Sequence, residues 1–162
     1  MIFVTVGQEK YPFDRLIKVI DQAVRDKVID NNVFAQIGNC QYKPKMFPFE
    51  RMISFDQMVE QIKKATVIVA HAGIGSTLLC ASLGKPPILF PRNFSLGEHL
   101  DDHQLEFAKK IESCNKVIVA YNAEQLIYDI NNYPRLNHEK SAFNSENKSK
   151  LVNYLRLICS EP

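Results

Sequence analysis

The sequence predicts an open α/β sheet of parallel strands with helices on both faces. Three observations carry this expectation. Short apolar or β-branched runs recur at 2–6, 33–37, 66–70, 87–90 and 116–120. Segments with apolar residues at helical spacing lie between them. Glycine or proline stands at many of the joints, as at Gly7, Gly38, Gly84 and Pro86. Strands alternating with helices imply parallel pairing through right-handed crossovers, here with five strands.

The elements follow in order. Residues 2–6 form a strand ended by Gly7. Pro12 and Phe13 open a helix whose stripe is Phe13, Leu16, Ile17, Ile20 and Val24. A second strand at 33–37 closes at Gly38. Residues 39–50 carry two prolines and no period, so they read as a loop. Ser54 and Gln57 have capping-box spacing ahead of a helix to about Lys64. After the strand at 66–70, a helix over 76–83 stops at Gly84, with Pro86 just beyond. The strand at 87–90 leads into a loop of turn formers at 91–97.

A strong helix is expected over 98–112. Leu100, Phe107, Ala108 and Ile111 share its stripe, with Gln104 inside the stripe and His103 at its edge. The strand at 116–120 precedes a helix capped by Asn122 and running to about Asn132. Residues 133–144 read as irregular, and 145–159 as a final helix. Leu151, Leu155 and Ile158 with Tyr154 give that helix an apolar stripe, expected to pack on the chain's own sheet; docking of a partner is the alternative. No repeat, low-complexity tract or linker divides the chain, so 1–162 reads as one domain.

Composition narrows the function classes. The 20 basic residues against 18 acidic ones leave a net charge of +2, unlike the strong positive balance of a nucleic-acid binder. The longest apolar runs are strand-sized and too short to span a membrane. No signal peptide is visible at the N-terminus. Cys40, Cys80, Cys114 and Cys159 show no C-x-x-C or zinc spacing and read as thiols in a reducing cytosol.

Ligands of such sheets bind beyond the carboxyl ends of the strands. The loop His71-Ala72-Gly73-Ile74-Gly75-Ser76-Thr77 leaves one of these ends. A helix N-terminus there offers unpaired N–H groups and a positive dipole end, and glycines allow a phosphate to approach closely. Ser76 and Thr77 add hydroxyl donors. The loop is neither a dinucleotide fingerprint nor a Walker A loop. Its local sequence fits a tight turn with Ser76 as helix cap as well as it fits a phosphate cradle.

A second cluster runs from Pro91 to Ile111. An inward-facing Gln104 needs hydrogen-bond partners, either in the protein or on a ligand's hydroxyls. Arg92 suits a diphosphate or a solvated surface. Glu98, Asp101 and Asp102 suit a helix dipole. His99 and His103 lie four apart with no third ligand at clear spacing, so no metal site is expected.

Read together, "HAGIGST", "LGKPPILFPR" and "GEHLDDHQLEFAKKI" resemble the C-terminal, donor-binding half of family 28 glycosyltransferases. "MIFVTVGQEKYPFDRLIKVID" resembles that half's first strand and helix. The likeness covers about residues 1–130. It is strongest to small soluble proteins that are this half alone: bacterial exopolysaccharide subunits of the PssE type, and the soluble subunit of the eukaryotic dolichol-linked N-acetylglucosaminyltransferase.

The resemblance implies a Rossmann-like sheet equivalent to half of a GT-B enzyme. It implies a UDP-sugar donor, a lipid-linked saccharide acceptor, and a membrane-associated partner subunit that supplies the other half. It implies no cofactor and no essential metal. By position, Gly73, Gly75, Ser76 and Thr77 would cradle the diphosphate, and His103 and Gln104 would contact the sugar. Gly7 and Gln8 would line the cleft opposite, with Arg92 and Glu98 at its rim. The general base would be His71, His99 or a partner residue.

Two positions depart from the family pattern. Leu79 stands where many members carry a ribose-binding glutamate, and Gly7-Gln8 replaces a common Gly-Thr. The expected activity is inverting hexosyl transfer in exopolysaccharide or capsule assembly, by a cytoplasmic chain recruited to the membrane by its partner. A non-catalytic enhancer subunit is the alternative. A 2-epimerase would need both halves in one chain, and a ligand-free scaffold would not gather glycines and polar residues at one sheet edge.

Overall fold

The computed structural model describes residues 1–113, 117–139 and 153. It contains one six-stranded sheet. The strands are β1 (Ile2–Thr5), β2 (Val33–Gln36), β3 (Phe49–Glu50), β4 (Val67–Ala70), β5 (Ile88–Leu89) and β6 (Ile118–Val119). All neighbours pair in parallel, in the order β3-β2-β1-β4-β5-β6. The helices are α1 (Asp14–Arg25), α2 (Phe55–Lys64), α3 (Ile74–Ser82), α4 (His103–Ser113), α5 (Ala123–Asn131) and α6 (Tyr133–Glu139).

Alternation along the strands sorts side chains to two faces. Ile2 and Val4 of β1, Val67 and Val69 of β4, and Ile88 of β5 pack with Leu16, Ile17 and Ile20 of α1 and Leu126 of α5. Phe3 and Ile68 point the other way, to Ile62 of α2 and Cys80 of α3. Ala70 and Leu89 meet Phe107, Ala108 and Ile111 of α4 on that second face. Helices therefore cover both faces, as the sequence predicts.

The register positions the site. Thr5 lies level with Gln36 on one side and Ala70 on the other. The turns that follow β1, β2 and β4 thus emerge side by side. Strand order reverses between β1 and β4, where such sheets open a crevice.

Local chemistry sets several ends. Ser54 caps α2, and Gln57 completes the capping box. The Asn122 side chain caps α5. Such caps are worth about 1 kcal/mol each.

The structure corrects five expectations. The region 39–50 ends in a strand, because Phe49 and Glu50 pair with Ala35 and Gln36; two residues are too few to show a period. The helix expected over 76–83 begins at Ile74 with Gly73 as N-cap, so Ser76 lies in its first turn and is not the cap. The helix expected over 98–112 begins only at His103. Before it, Arg92 takes the Glu98 carbonyl at 2.9 Å and Arg15 holds the Glu98 carboxylate, which fixes that residue outside a helix. Leu100, expected in the buried stripe, is exposed as a result. Residues 133–139, expected as irregular, are helical, anchored by buried Tyr133, whose hydroxyl donates to the Pro86 carbonyl.

Cys40 and Cys80 are buried free thiols, and burial pushes them up to about 11 and 12. Cys114, Cys159 and the helix expected over 145–159 lie outside the described residues. Among the described residues, no helix is long and apolar enough to cross a membrane.

Candidate functional site

A cleft of about 590 Å³ opens at the carboxyl ends of β1, β2 and β4. Its volume lies within the ~300–1,000 Å³ typical of small-molecule sites. One side is the turn after β1, with Gly7, Gln8 and Glu9; the other is the start of α3, with Gly73, Ile74, Gly75 and Ser76. Ile53, Phe55, Met58 and Leu79 form an apolar wall, and Gln36, His71 and Gln104 contribute polar lining.

The start of α3 differs from the starts of α2 and α5. Gly73 at its N-cap provides no side-chain cap, and its first turn holds no acid. The first amides of the helix therefore face the cleft with their positive dipole end uncompensated by a side chain. Thr77 does not join them. It is buried, and its hydroxyl donates to the Gly73 carbonyl at 2.9 Å, closing the turn from inside. Gly75 has open space where a side chain would stand.

His71 sits between the two glycine turns. A Cβ on Gly7 would lie 2.5 Å from its Cε1, and one on Gly73 would overlap its Nε2. Gly7 adopts φ +76°. The ring is 6% exposed, and its Nδ1 has no hydrogen-bond partner among the described residues. Burial, reinforced by the Arg92 guanidinium, pushes the imidazole down to about 4. The ring is thus neutral at ordinary pH and packs as a spacer.

Arg92 lies beneath the cleft and outside its lining. It is 1% exposed. Its guanidinium donates to the carbonyls of Val6 and Tyr11 at 2.8 Å and of Glu98 at 2.9 Å, and stacks over Phe13 at 4.7 Å. It binds the loop after β1 to the loop after β5. Glu98 is buried too, held by Arg15 through two hydrogen bonds of 2.9 and 2.8 Å and by the Asn93 amide at 2.9 Å.

His99 and His103 flank Asp101, with ring nitrogens 2.9 and 2.7 Å from its carboxylate oxygens. Neither histidine lines the cleft. Gln104 does; its carbonyl oxygen accepts the Arg92 amide at 3.4 Å, so part of its bonding capacity is met by the protein. Among the described residues, no group of three or more histidine, cysteine or acidic side chains is arranged to hold a metal ion.

Of the residues singled out from sequence, the cleft brings together Gly7, Gln8, His71, Gly73, Gly75, Ser76 and Gln104. Thr77, Arg92, Glu98, His99 and His103 lie outside its lining. Sequence reasoning singled out Leu79 but missed Gln36, Glu9 and the rest of the apolar wall, Ile53, Phe55 and Met58. Glu9 directly follows Gly7-Gln8 and was legible by adjacency. Gln36, a glutamine at the end of an otherwise apolar strand, was a signal of the same kind as Gln104.

Comparisons with known proteins place this architecture. Residues 1–155 match the glycosyltransferase family 28 C-terminal domain. The UDP-N-acetylglucosamine transferase subunit ALG13 of Homo sapiens is 32% identical over 120 residues, 68% of this chain and 10% of that protein. The Mus musculus protein of the same name is 29% identical over 118 residues, 67% of this chain and 10% of that protein. The matched segment thus spans about a tenth of the length of these curated relatives.

Among solved structures, MurG of Acinetobacter baumannii superposes with a TM-score of 0.56 at 14% identity, covering 94% of this chain and 49% of that one. The glycotransferase of kitacinnamycin gives 0.55 at 15% identity, covering 96% and 42%. These likenesses show the fold, the open parallel sheet of GT-B glycosyltransferases. By the match over residues 1–155, the chain belongs to the glycosyltransferase family 28 C-terminal domain family.

Proposed function

We propose that the chain is the donor-binding subunit of a two-subunit glycosyltransferase. The observation that carries this reading is the uncapped, acid-free start of α3 facing the Gly7–Gln8 turn across one cleft. A UDP-sugar fits it in parts: diphosphate against the amides of α3, and base against the wall of Ile53, Phe55, Met58 and Leu79. The sugar then lies toward Gln104. The relatives' names make UDP-N-acetylglucosamine the first donor to try.

Transfer needs stabilisation of the leaving diphosphate and a base for the acceptor hydroxyl. The helix start supplies the first. His71 is a poor base, since it is buried and its conjugate acid forms only near pH 4. His99 meets the Asp101 carboxylate and is not part of the cleft lining. We therefore place the base on the partner subunit, which also binds the lipid-linked saccharide acceptor and recruits this chain from the cytoplasm to the inner face of the membrane. Hexosyl transfer with inversion, extending an exopolysaccharide or capsule precursor, completes the proposal. A non-catalytic enhancer role is the second reading, favoured by Leu79 on the cleft wall, where an apolar side chain offers the ribose no hydrogen bond.

The test is turnover of UDP-sugars by the chain alone and with a membrane-associated partner, alongside thermal stabilisation by UDP. Stabilisation by UDP together with partner-dependent turnover supports the first reading. Turnover by the partner alone, merely raised by this chain without UDP binding to it, supports the second.

A further inference from the structure

Gln36 ends β2 with a carboxamide that is almost wholly buried. Its Oε1 accepts from the Thr5 hydroxyl at 2.8 Å and from the Gly7 amide at 3.2 Å. Its Nε2 donates to the Gly7 carbonyl at 2.9 Å and to the Arg51 carbonyl at 2.9 Å. The orientation of the amide is dictated by these partners: a backbone N–H can only donate and carbonyls can only accept. One side chain thus holds both polar groups of Gly7. A carboxamide suits this, because it donates and accepts side by side, whereas a carboxylate accepts without donating and a hydroxyl is too short to reach both poles.

Burying such a group costs free energy that an apolar side chain would avoid. The return on that cost lies in the turn it grips. Gly7 is in the left-handed region at φ +76°, and the two residues after it, Gln8 and Glu9, line the cleft opposite α3. With its carbonyl engaged by Gln36, Gly7 does not offer that oxygen to an anion in the cleft. The register that sets Thr5 beside Gln36 lets the Thr5 hydroxyl fix the amide in turn.

We propose that Gln36 is a positioning residue for donor binding: it holds the Gly7–Gln8 turn at a fixed setting across from the α3 N-terminus, so that the donor meets a formed cleft. This rests on reading the cleft as a UDP-sugar site. Gln36 acts through the turn, and the rigidity it gives is of the kind that binding sites need to within fractions of an ångström.

The experiment uses the full chain, UDP as the probe in calorimetry, and amide hydrogen exchange at Gly7. Gln36→Met keeps the length of the side chain and removes both donors and the carbonyl. It is expected to speed exchange at Gly7 and to raise the Kd for UDP, each about tenfold or more, while the amides of β1 stay protected. Thr5→Val leaves Gln36 in place but removes the hydroxyl that donates to its Oε1 at 2.8 Å and accepts from the Gly7 amide at 3.4 Å, so it should shift both readouts the same way by less; it carries the test if Gln36→Met does not fold. Unchanged UDP affinity with faster Gly7 exchange would overturn the proposal. So would lost affinity with unchanged exchange, which would make Gln36 a direct ligand contact. Failure of the wild-type chain to bind UDP would instead bring down the donor reading and this role with it.

Discussion

The His71 imidazole fills the space that a side chain at Gly7 would need: a Cβ there would stand 2.5 Å from its Cε1 and 2.6 Å from its Nε2. The contact joins the end of β4 to the turn after β1 and sets the width of the cleft between them. Gly7→Ala adds left-handed strain of roughly 1–2 kcal/mol to an overlap costing about 1–3 kcal/mol. It should therefore destabilise the chain by about 2–5 kcal/mol. In a His71→Ala background only the strain remains, so the double mutant should show coupling of at least about 1 kcal/mol. Urea denaturation of the four proteins measures this. Strictly additive costs would mean that the ring and the turn do not constrain each other.

His71 also gives stability an acid dependence. Its pKa falls from 6.5 to about 4 on folding, through burial first and Arg92 second. The unfolded chain therefore takes up the proton first as pH falls. The contribution of the neutral ring is complete above about pH 6.5 and is lost progressively down to about pH 4, on the order of 3 kcal/mol in all. Replacing the ring by one that cannot titrate, as in His71→Phe, should flatten the stability profile over that window. An unchanged slope in urea melts between pH 7 and pH 4.5 would assign the acid sensitivity to other groups.

Gly75 separates ligand approach from fold. Apart from its chain neighbours and its own helix backbone, no atom of the described residues lies within 4 Å of the place where its Cβ would stand. Gly75→Ala should leave stability equal or raise it by up to about 1 kcal/mol, as helix propensity dictates. If a diphosphate rests on this turn, the added methyl blocks it, and UDP affinity should fall about tenfold or more. Gly75→Asp should abolish binding, by placing a carboxylate where the phosphate would sit. Calorimetry with UDP on both variants decides the matter, and unchanged affinity in both would remove the cradle from α3.

The parts of this fold that were legible in the sequence are those whose signal is local. Alternating runs and helical stripes mark the long elements, and the Ser54–Gln57 capping box and the Asn122 cap stand where the sequence places them. The glycine turn at His71–Ser76 was visible as a place where backbone approaches something closely. What stayed hidden depends on partners far along the chain. Residues 98–102 carry acids suited to a helix start, yet Glu98 is held by Arg15, 83 residues away. The two residues of β3 become a strand only because β2 offers an unpaired edge.

The same reason governs the candidate site. Arg92 reads as a rim or surface residue when only its neighbours Pro91 and Asn93 are known. Its carbonyl partners Val6 and Tyr11 lie more than 80 residues back, and they take it inside. Gln36 shows its role only once Gly7 and Arg51 stand beside it. Long-range polar satisfaction leaves no period in a sequence.

Arg92 supports the last prediction. It is among the largest fully buried side chains, with three backbone carbonyls around one guanidinium. A lysine keeps the charge, but its compact ammonium cannot fan out to carbonyls of two loops, nor lie flat on Phe13 as the guanidinium does. Arg92→Lys should therefore destabilise the chain by about 3 kcal/mol, and Arg92→Met by at least as much, since it leaves buried carbonyls unmatched. If Arg92 only supports the cleft from beneath, the folded fraction of Arg92→Lys should bind UDP less tightly by a smaller factor than Gly75→Ala does. A direct ligand to the diphosphate would behave in the opposite way, with UDP binding lost and the denaturation midpoint unmoved. Urea melts paired with calorimetry below the transition separate the two, because this guanidinium lies outside the cleft lining and gives three of its N–H groups to backbone carbonyls.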